Sequence, residues 1–261
     1  MIGTSRSGDP LAGVMAGPYN DPVTGERHVL IQQPREEMLR DPRRLASACA
    51  TLHRLYPRVE SFLTRTPPGI ELSEPWRRRL TYVRCVDPAK WPAPTGGGPR
   101  VTLAAGAADD DLVRAWLVRA FRAGGGVVHH PVSEFTAAAQ AAFLCASPYR
   151  MSFIAWRGER AVGHATLLTG ATDEVTGESV TELVDLLAED EAGADIARVV
   201  LLRAAAGHAA TTRSPLIAGL LHTDPESAPE GREFAQSVLI TPALRRRWTI
   251  DHAYWWAPAH S

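Results

Sequence analysis

Hydrophobic and polar positions change their spacing along the chain, and each spacing predicts an element. After Asp41 and Pro42, apolar residues recur at helical intervals (Leu45, Cys49, Leu52 and Leu55). This pattern predicts an amphipathic helix with an aspartate cap and a proline in its first turn. Residues 79–86 alternate in polarity and predict a strand. Residues 1–27 have no such periodicity, so we expect a loose lead-in there.

From Arg100 onward the elements are more regular. The predicted order is strand, helix, helix, a hairpin of two strands, a long strand, helix, strand, helix and strand. Their expected positions are 101–105, a helix that begins near Asp109 and ends at the triple glycine 124–126, then 134–145, 149–156, 161–168, 180–187, a helix from Ala194, 215–222, 232–240 and 248–256.

The sequence PAPTGGGP at residues 92–99 is the best linker candidate, because proline and three glycines disfavour regular structure. We therefore divide the chain into an N-terminal α+β extension (residues 1–95) and a second domain (residues 96–261). The extension is expected to pack on the second domain and shape a pocket for a substrate.

Charge and cysteine content exclude several protein classes. The 28 basic and 29 acidic residues give a formal net charge of −1, which provides no general attraction for nucleic acid or a membrane surface. The three cysteines are widely spaced and form no CxxC motif, so neither a disulfide framework nor a zinc site is expected. Without an apolar run of membrane-spanning length, the sequence predicts a cytoplasmic protein. Frequent Ala, Arg, Gly and Pro with one Lys are typical of a GC-rich bacterial source.

The stretch from Val180 to Gly207 predicts a strand that leads directly into the N-terminus of a helix. The first turn of a helix has free backbone N–H groups and the positive end of the helix dipole, so this arrangement is suited to binding an anion.

The element order from Arg100 and three particular stretches resemble the GNAT superfamily of N-acetyltransferases. The stretches are LVRAF (117–121), IAWRGERAVGHATLL (154–168) and TELVDLLAEDEAGADIARVVLLRAA (181–205). The resemblance covers about the last 160 residues. It implies an α/β fold with a GNAT-like mixed central sheet flanked by helices, and an acyl-CoA such as acetyl-CoA as co-substrate.

The resemblance also implies where coenzyme A would bind. The family's Arg/Gln-x-x-Gly-x-Gly/Ala loop, which holds the diphosphate, falls on Ala192, Asp195 and Ala197, and only Ala197 fits the pattern. The implied contacts are Ile196, Ala197 and Arg198 at the helix start, with Leu186, Leu187 and Ala188 on the preceding strand. Acidic residues at 189–191 and 195 repel a diphosphate, and Asp190 or Asp195 is expected to cap the helix instead.

Acyl transfer to an amine needs a base that takes a proton from the ammonium group. Glu182 is the first candidate and Asp185 the second; regular alternation places them on opposite faces of their strand, unless a bulge intervenes. His222 and Asp224 form a second polar cluster at a strand end, where open α/β sheets bind ligands.

Other polar residues are expected to be outside the chemistry. Tyr254 lies on a different element from the acid of the family. The pair His129–His130 is expected to lie in a loop, since no third ligand has metal-binding spacing. No metal is expected.

The leading hypothesis is an N-acyltransferase that moves an acetyl or other acyl group from acyl-CoA to an amine of a small molecule or peptide. Two alternatives remain open. One is a GNAT-like binding or scaffold protein without coenzyme A chemistry, and the other is a GNAT-fold enzyme that uses a carrier-bound acyl donor.

Overall fold

The computed structural model describes residues 11–21, 25–87, 98–127, 132–173, 175–189, 193–222 and 248–259. Within these residues, ten strands form one mixed sheet in the order β1-β2-β3-β10-β4-β9-β8-β7-β6-β5. The strands are β1 Met15–Asn20, β2 Arg27–Gln33, β3 Ser61–Thr66, β4 Arg77–Cys85, β5 Arg100–Leu103, β6 Arg150–Arg157, β7 Arg160–Thr172, β8 Ser179–Ala188, β9 Leu216–Leu221 and β10 Trp248–Pro258. The helices are α1 Glu36–Leu39, α2 Pro42–Leu55, α3 Gly106–Val127, α4 Glu134–Ala146 and α5 Ala194–Thr212.

The sheet contains the same strand–helix–strand unit twice. In the first unit, β2 and β3 are parallel and α2 connects them; in the second, β8 and β9 are parallel and α5 connects them. An antiparallel strand precedes each unit, β1 beside β2 and β7 beside β8. Each unit is completed by a strand from the other end of the chain, β10 beside β3 and β4 beside β9. The two halves therefore meet where β10 pairs with β4.

Helices cover both faces of the sheet. Helix α5 packs on one face with Val83, Leu167 and Ala218, and α2 packs on the same face with Phe62 and Trp255. Helices α3 and α4 pack on the other face, around Ile154. We call these the α5 face and the α3 face.

The first hundred residues contribute more to the sheet than the sequence indicates. Strand β1 lies in the region expected to be a loose lead-in, and β3 was not predicted. The helix expected after Asp41 is confirmed, and the Asp41 carboxylate accepts hydrogen bonds from the amides of Arg43 and Arg44. Since β10 pairs with both β3 and β4, one sheet runs across the predicted boundary at residue 95. Most of the proposed linker lies outside the described residues.

One predicted helix end is wrong. Helix α3 continues through the triple glycine to Val127. Packing accounts for this, because a Cβ at Gly124 would lie 3.3 Å from Leu221 Cδ1, so the helix end lies directly against β9. Tertiary contact outweighs the low helix propensity of glycine. The predictions for residues 129–130, 190–192, 224 and 232–240 concern segments outside the described residues. Among the described helices, none combines the length and apolar character of a membrane span.

Candidate functional site

Strands β8 and β9 separate partway along their length. They pair at Thr181–Leu216, Glu182–Ile217 and Leu183–Ala218. Within the described chain their pairing stops there, although β8 continues to Ala188 and β9 to Leu221. The parted ends leave backbone groups of both strands available to an extended ligand. This opening lies beside the N-terminus of α5.

A bulge in β8 places the two candidate bases on the same face of the sheet. Asp185 pairs with Thr166 and Glu182 pairs with Leu168, and the register shifts between these pairs. Thr166 and Leu168 are two residues apart on β7 and therefore share a face, as do their partners. Regular alternation would place Glu182 and Asp185 on opposite faces, but the bulge left open by the sequence is present, and its extra residue in β8 gives them a shared face.

Asp185 belongs to a buried hydrogen-bond network beneath α3. Its Oδ2 lies 2.7 Å from Nε2 of His164, whose Nδ1 lies 3.0 Å from Thr166 Oγ1. The His164 side chain is fully buried and stacks on Trp116, with ring centroids 5.1 Å apart. Asp185 is thus bonded to a core histidine, which makes it a weaker candidate for the base than Glu182.

Glu182 lines a small cavity on the α3 face. The cavity has a volume of about 150 Å³ and is lined by residues from β2, β3, β4, β7, β8, β9 and β10. Tyr82 Oη donates a hydrogen bond to Glu182 Oε1 over 3.1 Å. Burial raises the pKa of Glu182, and the bond from Tyr82 acts in the opposite direction. A carboxyl group with a raised pKa accepts a proton more readily near neutral pH, which suits a general base.

Aromatic residues from β4 and β10 form one side of this cavity. Tyr82 stacks on His252 with a centroid distance of 4.6 Å, and Tyr254 meets both rings edge-on. Tyr254 lies on a strand and not on a late helix, yet β10 inserts next to β4 and brings Tyr254 into the same cavity as Glu182.

An ion-pair network encloses the far side of the cavity. Arg65 donates two hydrogen bonds of 2.9 Å to the carboxylate of Asp173, and its Nη2 lies 3.2 Å from His252 Nδ1. Burial raises the pKa of Asp173, but the bonds from Arg65 and from the amides of Thr176 and Val175 together hold the pKa well below its usual range. Asp251 bonds both His252, at 2.7 Å, and Arg84, at 2.7 Å. The sequence did not indicate this network.

Three side chains of this network are of types that commonly bind metal ions. One ligand atom each of Asp173, Asp251 and His252 lies within 4.8 Å of the others. Arg65 and Arg84 already neutralise the two carboxylates at hydrogen-bond distance. A cation would have to displace these arginines, so the residues fit a metal poorly.

His222 lies on the opposite face from Glu182. Its Nε2 is 2.8 Å from Thr81 Oγ1, and Thr81 precedes Tyr82 on β4, so the two side chains point to opposite faces. Burial lowers the pKa of His222, and Arg78 lowers it further. The structure therefore does not join His222 to the Glu182 cavity.

The N-terminus of α5 differs from the prediction. Its N-cap is Gly193, in the left-handed region at φ 97°, with no side-chain hydrogen bond. The expected cap by Asp195 is wrong, because its carboxylate accepts a 2.9 Å bond from Arg198 instead. Glu189 is drawn toward α3, where Trp116 and Arg119 each donate a 2.9 Å bond to it. These bonds leave the first-turn amides uncapped by the described carboxylates.

An arginine occupies the space where a side chain at residue 193 would lie. A Cβ on Gly193 would be 2.7 Å from Arg157 Nη2. Together with Arg119 and Arg198, this guanidinium partly offsets the negative charge of the preceding loop. The residues therefore fit an anionic group at the start of α5 better than the sequence predicts.

The predicted cofactor contacts are grouped around the opening. Leu186 and Ala188 are buried beneath α5, and Leu187 packs toward α3. Ile196 is 52% exposed in the first turn of α5, next to Arg198. The amide of Ala197 donates to Gly193 O at 3.1 Å and is committed to the helix.

Solved structures share this architecture. An acetyltransferase of the GNAT family from Colwellia psychrerythraea matches with a TM-score of 0.50 and 13% identity, over 88% of this chain and 77% of that chain. The protein has a GNAT-like fold. A conserved protein of unknown function from Staphylococcus epidermidis matches with the same TM-score and 9% identity, over 90% of this chain and 86% of that chain. No family model and no curated protein sequence matches the chain.

Proposed function

We propose that the protein is a cytoplasmic N-acyltransferase that moves an acetyl or other acyl group from acyl-CoA to an amine of a small molecule or peptide. The observation that carries this proposal is the position of Glu182. It is a partly buried carboxyl group with a raised pKa, one residue before β8 and β9 separate in a GNAT-like sheet.

The acyl donor is assigned to the opening between β8 and β9. Backbone groups of Leu186, Leu187 and Ala188 would contact the thioester and the adjoining chain. The uncapped first turn of α5, around Ile196, would receive the diphosphate. Arg157 and Arg198 provide positive charge at that end, which supports a donor that carries a diphosphate.

The acceptor amine is assigned to the Glu182 cavity. Glu182, once ionised, takes the proton from the acceptor's ammonium group, and the neutral amine then attacks the thioester carbonyl. The C–S bond breaks as the C–N bond forms, coenzyme A leaves as its thiolate, and the second proton of the amine goes to solvent. Tyr82 holds the carboxylate in place through its 3.1 Å hydrogen bond. The rings of Tyr82 and Tyr254 line the cavity beside Glu182.

One observation favours a different donor. Glu189 and Asp195 keep two carboxylates near the start of α5, although each is paired with an arginine. A donor held on a carrier protein would depend less on a diphosphate-binding site than coenzyme A does. Such an enzyme would keep the Glu182 chemistry and fail to bind free acetyl-CoA, whereas a scaffold protein would lack both properties.

Release of free coenzyme A from acetyl-CoA in the presence of an amine panel tests the reaction. We expect Glu182→Gln to lower kcat at least 100-fold while the affinity for acetyl-CoA stays unchanged. The matched control is Glu159→Gln, in the turn between β6 and β7, which should keep full activity. Equal turnover in Glu182→Gln and the parent protein would refute the assignment.

A further inference from the structure

A large cavity lies in the first half of the sheet, away from Glu182. Its volume is about 960 Å³, and it runs between α2 and residues 69–76, with Phe62 and Ala257 on its floor. Helix α2 occupies the position in the first strand–helix–strand unit that α5 occupies in the second. We call this cavity the α2 groove.

The α2 groove is elongated. Its lining residues include both Pro42 and Arg54, which lie at opposite ends of α2. At 1.5 Å per residue the helix is about 20 Å long. Because residues 69–76 lead from the end of β3 back to the start of β4, they form a second wall beside the helix. A long, narrow ligand fits this shape better than a compact one.

Apolar side chains form the inner surface of the α2 groove. On the helix side, Leu45, Ala46, Cys49 and Ala50 recur at helical intervals and face the groove. The small side chains among them leave space between α2 and the opposite wall. On the opposite wall, Ile70 and Leu72 are 5% and 9% exposed, whereas Ser73 and Glu74 are exposed at the outer edge.

The one cysteine of the α2 groove contributes to this apolar character. Burial raises the pKa of Cys49 to about 12. The thiol therefore stays protonated at neutral pH and behaves as a small apolar group. A nucleophilic or metal-binding role for this residue does not fit.

Charge is asymmetric between the two ends. At the start of α2, Arg40 is paired with Glu36 at 2.6 Å. At the other end, Arg54 donates to Ala50 O and Thr51 Oγ1, and among the described residues it forms no ion pair within 4 Å. A guanidinium has five N–H donors, so Arg54 keeps donors for an anionic group. On the opposite wall, Glu71 is paired with Arg78, and Glu74 lies exposed at the outer edge. Arg54 is therefore a cation of the lining that keeps free donors at one end of α2.

We infer that the α2 groove binds a fatty-acid carboxylate, with its hydrocarbon chain along α2 and its carboxylate at Arg54. The length, the apolar walls and the Arg54 guanidinium at one end match such a ligand. This site is separate from the β8–β9 opening, and the inference does not depend on the acyltransferase assignment.

Calorimetric titration of the full chain with dodecanoate tests the inference. We expect saturable binding at one site per chain, weakened at least tenfold by Ala50→Trp, because the indole fills the groove. The matched control is Ala138→Trp at an exposed position of α4, which should bind as the parent protein does. The inference fails if the parent protein does not bind dodecanoate, or if Ala50→Trp binds it equally well.

A second variant tests the orientation of the ligand. Arg54→Gln should weaken dodecanoate about tenfold and leave dodecanol binding unchanged, because only the carboxylate uses the guanidinium. An equal loss for both ligands, or no loss for dodecanoate, would overturn the placement of the carboxylate. The readout is binding, so neither outcome depends on acyltransferase activity.

Discussion

The hydroxyl of Tyr82 donates a 3.1 Å hydrogen bond to the carboxylate of Glu182. Tyr82 lies on β4, in the first hundred residues, and Glu182 lies on β8, one residue before β8 and β9 separate. The N-terminal segment therefore forms part of the candidate active site itself.

Removing the Tyr82 hydroxyl should change how activity depends on pH. A base acts only when ionised, so kcat/KM falls as the pH drops below the pKa of Glu182. The bond from Tyr82 lowers this pKa, and a hydrogen bond to a charged group contributes about 1.5–3 kcal/mol. In Tyr82→Phe the acid limb of the kcat/KM profile should move to higher pH. The exposed Tyr149→Phe serves as the control, and an unmoved acid limb in Tyr82→Phe would exclude Glu182 as the titrating base.

Replacing Glu182 should stabilise the protein near neutral pH. Burial raises the folded-state pKa of Glu182, so the ionised form costs folding free energy at any pH above that value. Glu182→Gln should raise the free energy of unfolding at pH 7, because the amide carries no charge that must be buried. The difference in the free energy of unfolding between the variant and the parent protein should shrink as the pH falls, because Glu182 in the parent becomes protonated. Denaturant titrations at pH 5 and pH 8 measure this, and a destabilised variant at both values would count against it.

The ion pair between Arg65 and Asp173 should be a large local contribution to stability. The two side chains are 11% and 9% exposed, so Arg65→Met leaves a buried charge without its partner, at a cost of about 3–5 kcal/mol. The lowered pKa of Asp173 contributes stability above the unfolded pKa, and this contribution is lost as the pH falls through the folded pKa. The difference between parent and variant should therefore narrow in acid.

A double variant provides the control for that pair. Arg65→Met with Asp173→Asn removes the unpaired charge while an amide oxygen can still accept the bonds from Val175 and Thr176. It should regain much of the lost stability in urea unfolding. A double variant as unstable as Arg65→Met alone would show that repacking, and not the charge, causes the loss.

The chain from residue 96 to 261 should not fold alone. Without the first 95 residues, β10 loses both of its neighbours and β9 loses β4. Circular dichroism and thermal melting of the isolated segment should show no cooperative transition. A monomeric segment that unfolds cooperatively would contradict this expectation and support a true boundary near residue 95.

The sequence predicted the second half of the sheet well, because local periodicity determines those elements. Both ends of β8 and the first residue of α5 were predicted to within a residue or two of their observed positions. The bulge next to Asp185 was not predictable, since it depends on how β8 pairs with β7. The cavity network was missed for a similar reason: Arg65 and Asp173 are 108 positions apart and meet only through strand order. The place of Tyr254 in the cavity was missed for the same reason, because it depends on where β10 inserts in the sheet.

Thermal unfolding with acetyl-CoA tests the central claim most directly. A ligand at 100 times its Kd stabilises by about 2.7 kcal/mol, which raises the Tm of a chain of this size by roughly 5–10 °C. We predict a saturable rise for the parent protein and for Gly207→Glu, at an exposed site far along α5, and little rise for Ile196→Glu, which adds a carboxylate at the diphosphate position. The absence of any shift in the parent protein at millimolar acetyl-CoA would contradict acyl-CoA binding at the start of α5.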